Sequence, residues 1–207
     1  MKKILFNDRY GLTQAVIEGR KIMTRRLELD ADSDYIARHY NPIYRPQHCY
    51  YRDSRGMCQL INCNTHKLFI PRYKPGEIVA VAQSYEAAGF DPECRIEGML
   101  YAKKHAGWRN KMFVSAKYMP HQIRITGIKC EWLRGISDDD CFREGISESW
   151  YESTDTTTYG YADEKKGTAV EFDTPRKALA ALIDRVSGKG TWERNPCVVV
   201  YEFELVK

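Results

Sequence analysis

Apolar positions along this chain form short runs rather than long helical stripes. Several runs of four to ten residues are rich in Ile and Val, and in some of them apolar and polar residues alternate, which is typical of strands. A Pro-Gly turn at 72–77 precedes one such run, and Gly127 interrupts another, where it predicts a kink. The strands predicted in this way are 3–6, 78–82, 96–101, 122–130 and 197–206.

Three segments show helical spacing instead. Residues 10–18 carry apolar side chains on one face and end at Gly19. Residues 137–144 begin with a serine followed by acids, the pattern of a helix N-terminus. Thr174-Pro175 starts a third helix, whose apolar face ends at Ser187-Gly188. All three helices are predicted to be short.

Two polar stretches lack either periodicity. Residues 27–66 are rich in Tyr, His and Cys and are interpreted as an insertion with little regular structure. Residues 151–168, composed mainly of Thr, Tyr, Asp, Glu, Lys and Gly, are predicted to be a mobile loop. Several strands with few helices, and no repeating strand–helix alternation, favour an α+β fold built on a small mixed β-barrel.

Composition narrows the classes of protein that this chain can be. Its 207 residues are 43% hydrophobic, enough for one real core, and its net charge of +4 permits but does not require contact with nucleic acid. No apolar run reaches the ~18 residues of a membrane span. The first eight residues are interrupted by charge too early for a signal peptide, so a cytoplasmic location is predicted.

The cysteine pattern leaves two interpretations open. The seven cysteines are scattered without a CxxC pair, which is typical of reduced thiols in a cytosolic protein. A local group of zinc-binding residue types has spacings less regular than those of structural zinc sites. It is either a metal site or a set of free side chains in a polar loop, and its members are His48, Cys49, Cys58, Cys63 and His66.

The most distinctive chemistry lies in residues 19–26, GRKIMTRR. Four cations and the hydroxyl of Thr24 follow Gly19 within seven residues. A lysine whose pKa is lowered by burial or by neighbouring cations can act as a base toward a threonine. Lys21 and Thr24 would point to opposite faces of a regular strand, so they converge only in a turn or bulge. The alternative is an exposed basic turn with a structural threonine.

Residues 19–26 resemble the signature of the ASCH domain, a superfamily with a PUA-like β-barrel. Further blocks in the family's order extend the resemblance over most of the chain. These blocks are the Pro-Gly-acid turn at 73–77, Met119-Pro120, residues 136–146, and Trp192 with Asn195-Pro196. The resemblance implies a single domain over residues 1–207, with insertions near 27–70, 86–115 and 147–172. Similar blocks occur in bacterial and prophage-encoded members.

Some small members of this family resemble amidohydrolases that remove the acetyl group of N4-acetylcytidine with a Lys, a Thr and a Glu. The resemblance places these roles on Lys21, Thr24 and Glu144, and implies no cofactor or metal. Glu144 would orient Lys21 or pass a proton to the leaving amine, as a catalytic carboxyl does. The alternative for Glu144 is a solvated helix end.

The family's barrel also implies a cleft for RNA or a modified nucleoside. The guanidinium of Arg26 suits two-point contact with phosphate, or else a surface ion pair. Two functions therefore stay open, a hydrolase of an acylated cytidine and a non-catalytic RNA-binding or nucleotide-sensing module. The predicted ligand contacts are Arg20, Arg25, Arg26, Arg72, Lys74 and Arg124.

Overall fold

The computed structural model describes residues 1–27, 51–52, 58–61, 68–69, 71–96 and 100–206. The helices are α1 (Leu12–Ile17), α2 (Asp138–Arg143), α3 (Pro175–Ser187) and α4 (Thr191–Arg194). The strands are β1 (Lys3–Ile4), β2 (Met23–Arg26), β3 (Tyr51–Arg52), β4 (Cys58–Ile61), β5 (Leu68–Phe69), β6 (Ile78–Val81), β7 (Arg95–Ile96), β8 (Leu100–Tyr101), β9 (Gln122–Trp132), β10 (Ser147–Tyr151), β11 (Thr156–Asp163), β12 (Thr168–Phe172) and β13 (Cys197–Leu205). The chain is therefore α+β, as predicted, with several small sheets and short helices.

The largest sheet has five strands in the order β1-β6-β9-β13-β2. Strands β1 and β6 are parallel, and the other neighbours are antiparallel. The two longest strands, β9 and β13, form its centre, and their register shifts by one residue opposite Gly127. The predicted kink is therefore a β-bulge. A Cβ at Gly127 would lie 2.9 Å from Glu202 Oε2, the end of a flexible side chain that would have to move aside.

The helix ends follow the sequence signals. Ser137 and Thr174 cap α2 and α3 by accepting hydrogen bonds from the backbone N–H groups of Asp140 and Lys177. Gly19, with a φ of 73°, follows the end of α1. The predictions of all three helices are confirmed.

Residues 151–168 were predicted to be a mobile loop, and this prediction is wrong. They belong to an antiparallel meander, β10-β11-β12. The run of Thr and Tyr in β11 favours a strand, and the polar composition reflects its partly exposed faces. Trp150 on β10 is 61% exposed.

Two further expectations concern local structure. The stretch 27–66, expected to have little regular structure, lies mostly outside the described residues, and within it β3 pairs with β4, which also pairs with β5 beyond it. The single strand expected at 96–101 is instead a pair of two-residue strands, β7 and β8. Both pairings are short, and a two-residue strand carries too few residues to show a periodicity.

The main core lies on one face of the large sheet, beneath α1, α3 and β11. Leu179 and Leu182 of α3 belong to this core together with the sheet residues Val199 and Phe203. A separate cluster around Tyr85 buries part of the predicted insertion 86–115. No helix in the described ranges has the length and apolarity that a membrane span requires.

The outer strands of the large sheet approach each other through side chains. Arg26, the last residue of β2, donates a hydrogen bond of 2.6 Å from Nη2 to the carbonyl oxygen of Leu5, just after β1. The guanidinium also lies 5.4 Å from the centre of the Phe6 ring. The sheet is thus curled, and the gap between its outer strands is where the candidate site lies.

Candidate functional site

The chain places Lys21 in a turn rather than in a strand. Its backbone N–H donates to Ala15 of α1, and the N–H of Ile22 donates to Arg143 of α2, at 2.9 and 3.0 Å. Thr24 follows in β2, where it pairs with Tyr201. In a regular strand, Lys21 and Thr24 would point to opposite faces. Because Lys21 precedes the strand, its side chain lines the same pocket as Thr24.

Lys21 and Glu144 form a buried ion pair. Lys21 Nζ donates to Glu144 Oε2 and to the Glu144 carbonyl oxygen, both at 2.6 Å, and the two residues are 2% and 5% exposed. Gly145, with a φ of 102°, lets the chain turn here, and a Cβ on it would lie within 3.6 Å of the Lys21 side chain.

The pKa of Lys21 is lowered, chiefly because burial removes the ammonium from water. The Glu144 carboxylate opposes this effect, whereas the charges of Arg26 and Arg25 add to it. A lysine with a lowered pKa gives up its proton closer to neutral pH, which is the property of a general base. The buried position thus shifts the pKa of Lys21 in the direction that a general base needs.

Arg25 is the counterion of a carboxylate cluster. Its guanidinium is 1% exposed and donates to Glu144 Oε1 and Asp140 Oδ2, both at 3.0 Å, and to Glu131 Oε1 at 2.8 Å. The remaining oxygen of the Glu144 carboxylate faces Lys21. Arg25 was predicted to contact ligand, and it lines the pocket. Its guanidinium also forms ion pairs inside the protein, where it holds the Glu144 carboxylate that contacts Lys21.

Thr24 also lines the pocket. The residue is 5% exposed, and within the described part of the chain the hydroxyl makes no hydrogen bond, to Lys21 or to any other group. Lys21 and Glu144 line this pocket with it. The three residues that the family resemblance singles out therefore meet at one cavity, with direct contact between Lys21 and Glu144 only.

This inner pocket has a volume of about 70 Å³. That is well below the roughly 300–1,000 Å³ typical of a site for a whole ligand, and suits a group of a few heavy atoms. Its polar wall is the site described above, and its apolar wall comes from α3 and the segment after β1. The residues of that apolar wall include Leu5, Phe6, Leu179, Leu182, Ile183 and Val186.

An outer groove of about 470 Å³ continues from the inner pocket. The two cavities share a wall made by residues 5–7, Arg26 and Val186. Arg26 is therefore the one predicted ligand contact among the described residues that lines both cavities. The groove adds two basic residues that the sequence analysis did not select, Arg9 and Lys111, and the acid Asp8.

The other predicted ligand contacts lie outside both cavities. Arg20 is paired at 2.6 Å with Glu18 on the surface, and Arg124 is paired at 2.8 Å with Glu204. Arg72 and Lys74 belong to the exposed turn before β6, where the Arg72 guanidinium lies over the Tyr73 ring. Four of the six predicted cations are thus not brought to the site.

The sequence analysis did not identify the apolar wall of the inner pocket, which lies opposite the cations. Phe6 follows β1, and its ring centre lies 5.9 Å from Lys21 Nζ. Val186 and Ile183 belong to the apolar face predicted for α3, and they line the inner pocket. An apolar helix face carries the same signal whether it packs on a sheet or covers a pocket, so the sequence held no cue to separate the two.

Metal and thiol chemistry find little support at this site. In the described ranges no group of three or more His, Cys, Asp or Glu residues is arranged to hold a metal ion. The zinc hypothesis falls on His48, Cys49, Cys63 and His66, outside the described residues, and on Cys58 of β4. Cys141, in α2, is a buried thiol whose pKa is raised by burial to about 12, so it stays protonated and unreactive.

Comparison of the chain with protein-family models, with curated proteins and with solved structures found no match. The geometry of the pocket and the motif at residues 19–26 are therefore what a functional assignment can draw on.

Proposed function

We propose that this chain is an ASCH-type protein that hydrolyses an N4-acylated cytidine or a related modified nucleoside. One observation carries the proposal: a buried lysine with a lowered pKa contacts Glu144, and Thr24 lines the same small pocket as these two residues. A base, a hydroxyl and an oriented carboxylate are the groups that acyl transfer from an amide requires.

The proposal includes a PUA-like fold over a single domain with inserted segments. The curl of the five-stranded sheet supports it, because Arg26 at the end of β2 reaches the Leu5 carbonyl beyond β1. The meander β10-β11-β12 and the cluster around Tyr85 occupy two of the three segments expected as insertions. In such a fold the cleft between the outer strands is the place for a nucleoside.

Lys21 acts first in the proposed reaction. In its neutral form, the Nζ lone pair takes a proton from the attacking oxygen, which forms a bond to the acyl carbon. The C–N4 bond then breaks, and N4 takes the proton back from the Lys21 ammonium. Water and the amide are consumed, and a carboxylic acid and the free amino group of cytidine are released. Proton transfer by a positioned group accelerates such a reaction by a factor of roughly 10²–10⁴.

Glu144 and Thr24 complete the site. Glu144 holds the Lys21 ammonium that forms during the reaction, and Arg25 holds the other carboxylate oxygen in place. Thr24 either supplies the attacking oxygen itself, with water releasing the acyl group in a second step, or aligns the attacking water. Both routes have the same overall balance, and both need the Thr24 hydroxyl.

The size of the acyl group tests this assignment. Because the inner pocket is only about 70 Å³, we expect kcat/KM for N4-acetylcytidine to exceed that for the N4-hexanoyl analogue by more than about tenfold. The measurement is release of cytidine by wild type over a series of chain lengths. The variant Leu182→Ala, which removes bulk from the pocket wall, should narrow this difference.

Lys117→Ala is the matched control for the chain-length series, since Lys117 lies over the Tyr118 ring and lines neither cavity. It should reproduce the wild-type series. Equal rates for acetyl and hexanoyl substrates, unchanged in Leu182→Ala, would show that the acyl group does not enter this pocket.

A second candidate function is an RNA-binding or nucleotide-sensing module without turnover. The outer groove favours it, because Arg9, Arg26 and Lys111 line it against one acid, Asp8. The missing contact between Lys21 and the Thr24 hydroxyl also suits a site that binds without reacting. Salt-dependent binding of single-stranded RNA by wild type, with no cytidine released from any acylated substrate, would select this function.

A further inference from the structure

Strand β10 leaves one edge of the meander β10-β11-β12 unpaired. All five of its residues, Ser147–Tyr151, pair with β11 in one continuous antiparallel register without a bulge. In the described part of the chain, no further strand lies on its other side. The N–H and C=O groups on the free side of an edge strand point away from its neighbour, so β10 offers these groups to an additional strand.

This strand also lacks the features that protect natural edge strands from pairing. Such edges usually carry lysine or proline, contain a bulge, or are covered by a helix or loop. The sequence of β10, SESWY, contains neither lysine nor proline, and four of its five residues are exposed. Trp150 is 61% exposed and Tyr151 is 43% exposed. Because exposed aromatic side chains are enriched at protein interfaces, this edge favours contact with another chain.

The two faces of β10 carry different side chains. Glu148 and Trp150 share the face on which Tyr159 of β11 packs against the main core. Tyr151 lies on the opposite face, where its hydroxyl donates to Glu171 of β12 at 2.6 Å. Within the described ranges, neither Trp150 nor Glu148 makes a side-chain hydrogen bond or ion pair. The indole N–H of Trp150 and the carboxylate of Glu148 are therefore a donor and an acceptor that lie on one face and have no partner there.

A second copy of this chain supplies the matching edge. If two β10 strands pair antiparallel about a two-fold axis at Ser149, all five residues are paired, and Glu148 lies opposite the partner's Trp150. Each indole N–H then meets a carboxylate that accepts its hydrogen bond. The two Trp150 residues are diagonal neighbours about 7–8 Å apart, a distance that aromatic side chains span. The edge is thus complementary to itself.

Charge selects this register over its neighbours. An axis at Glu148 would place two Glu148 carboxylates opposite each other, and an axis at Trp150 would place Glu148 opposite the partner's Glu152. Like charges directly opposite each other are destabilising, and an axis at Ser149 avoids both arrangements. We propose that this chain forms a dimer through β10, in which the two meanders join into one continuous sheet across a two-fold axis at Ser149.

Sedimentation equilibrium over a dilution series measures this association. A pairing of two five-residue strands with two tryptophans is at the small end of protein interfaces, so the dimer should dissociate on dilution. Trp150→Ala should weaken dimerisation at least about tenfold, because the largest exposed side chain of the edge is removed. Hydrogen exchange of residues 147–151 should slow as the concentration of wild type rises, since their free N–H groups become paired.

Variants at Ser149 test the register. Ser149→Lys and Ser149→Glu each place like charges opposite each other on the axis, so each variant alone should be monomeric. An equimolar mixture of the two places opposite charges there and should form a heterodimer. Ser153→Lys adds the same charge in the exposed turn after β10 and should associate as wild type does. Circular dichroism confirms that each variant is folded.

Loss of the dimer in each charged variant, its return in the mixture and slower exchange of β10 in wild type support the proposal. A wild type that stays monomeric up to about 1 mM overturns it, and leaves the edge to a strand of a different protein. A dimer that persists in Trp150→Ala and Ser149→Lys overturns it, because the copies then meet elsewhere. A mixture that stays monomeric overturns the register. None of these outcomes depends on the hydrolysis of a substrate.

Discussion

Lys21→Met is expected to lower kcat for hydrolysis of N4-acetylcytidine by a factor of about 10²–10⁴, which is the usual contribution of a general base. Methionine fills a similar volume but cannot accept the proton. The variant should remain folded, because Glu144 keeps its hydrogen bond from Arg25 Nη1. The measurement is kcat from initial rates of cytidine release, with circular dichroism to confirm the fold.

The matched control is Arg20→Met, one residue away in the sequence. Arg20 pairs with Glu18 on the surface and lines neither cavity, so kcat should stay within about twofold of wild type. A comparable loss in both variants would mean that the general positive charge of residues 20–26, rather than the buried Lys21, supports the reaction.

The pH dependence gives Lys21 a signature that a structural residue lacks. Lys21 must be neutral to act as a base, so kcat/KM should rise with pH through its folded-state pKa and level off above it. Because burial lowers that pKa, the rise should be centred below 10.5, the ordinary pKa of a lysine side chain. A wild-type profile that is flat, or that falls over this range, would contradict the assignment of Lys21 as base.

Arg25→Met is expected to cost about 3–5 kcal/mol of the free energy of unfolding. The guanidinium is 1% exposed and lies among the carboxylates of Glu131, Asp140 and Glu144. Without it, these like charges face one another with much less compensation. The measurement is chemical denaturation at neutral pH, beside Arg124→Met, whose surface pair with Glu204 should contribute no more than about 1 kcal/mol.

Acid should reduce the difference in the free energy of unfolding between wild type and Arg25→Met. Burial raises the pKa of Asp140, but Lys129 and Arg25 outweigh it and leave that pKa below its usual value. A carboxylate with a lowered pKa stabilises the folded state above about pH 4, and this contribution is lost as the pH falls through the folded-state pKa. Wild type should therefore lose more stability than the variant on acidification. A difference in the free energy of unfolding that stays constant down to pH 3 would show that Arg25 acts through packing alone.

The sequence predicted the parts of the fold whose signals are local. The caps at Ser137 and Thr174, the stop at Gly19 and the kink at Gly127 each depend on a few neighbouring residues, and all are present. The prediction from sequence was wrong at 151–168, because these residues have a polar composition and were interpreted as a loop, whereas they form a partly exposed meander. Pairing partners, not composition, make those residues strands.

The sequence analysis named Lys21, Thr24 and Glu144 as a group, and all three line one pocket, but it did not predict their geometry. The motif placed Lys21 and Thr24 together, and Lys21 proved to be buried against Glu144, 123 positions away along the chain. Nothing local distinguishes Arg25, which compensates carboxylates inside the protein, from Arg26, which lines both cavities. That difference depends on which strands and helices surround each side chain, and so it needed the three-dimensional structure.

The most direct measurement is a time course of cytidine release from N4-acetylcytidine by wild type, Thr24→Ala and Lys21→Met, each shown to be folded. The Lys21–Thr24–Glu144 site predicts turnover by wild type and a loss of at least about a hundredfold in each variant. Absence of turnover by folded wild type, or turnover that persists in both variants, would contradict it.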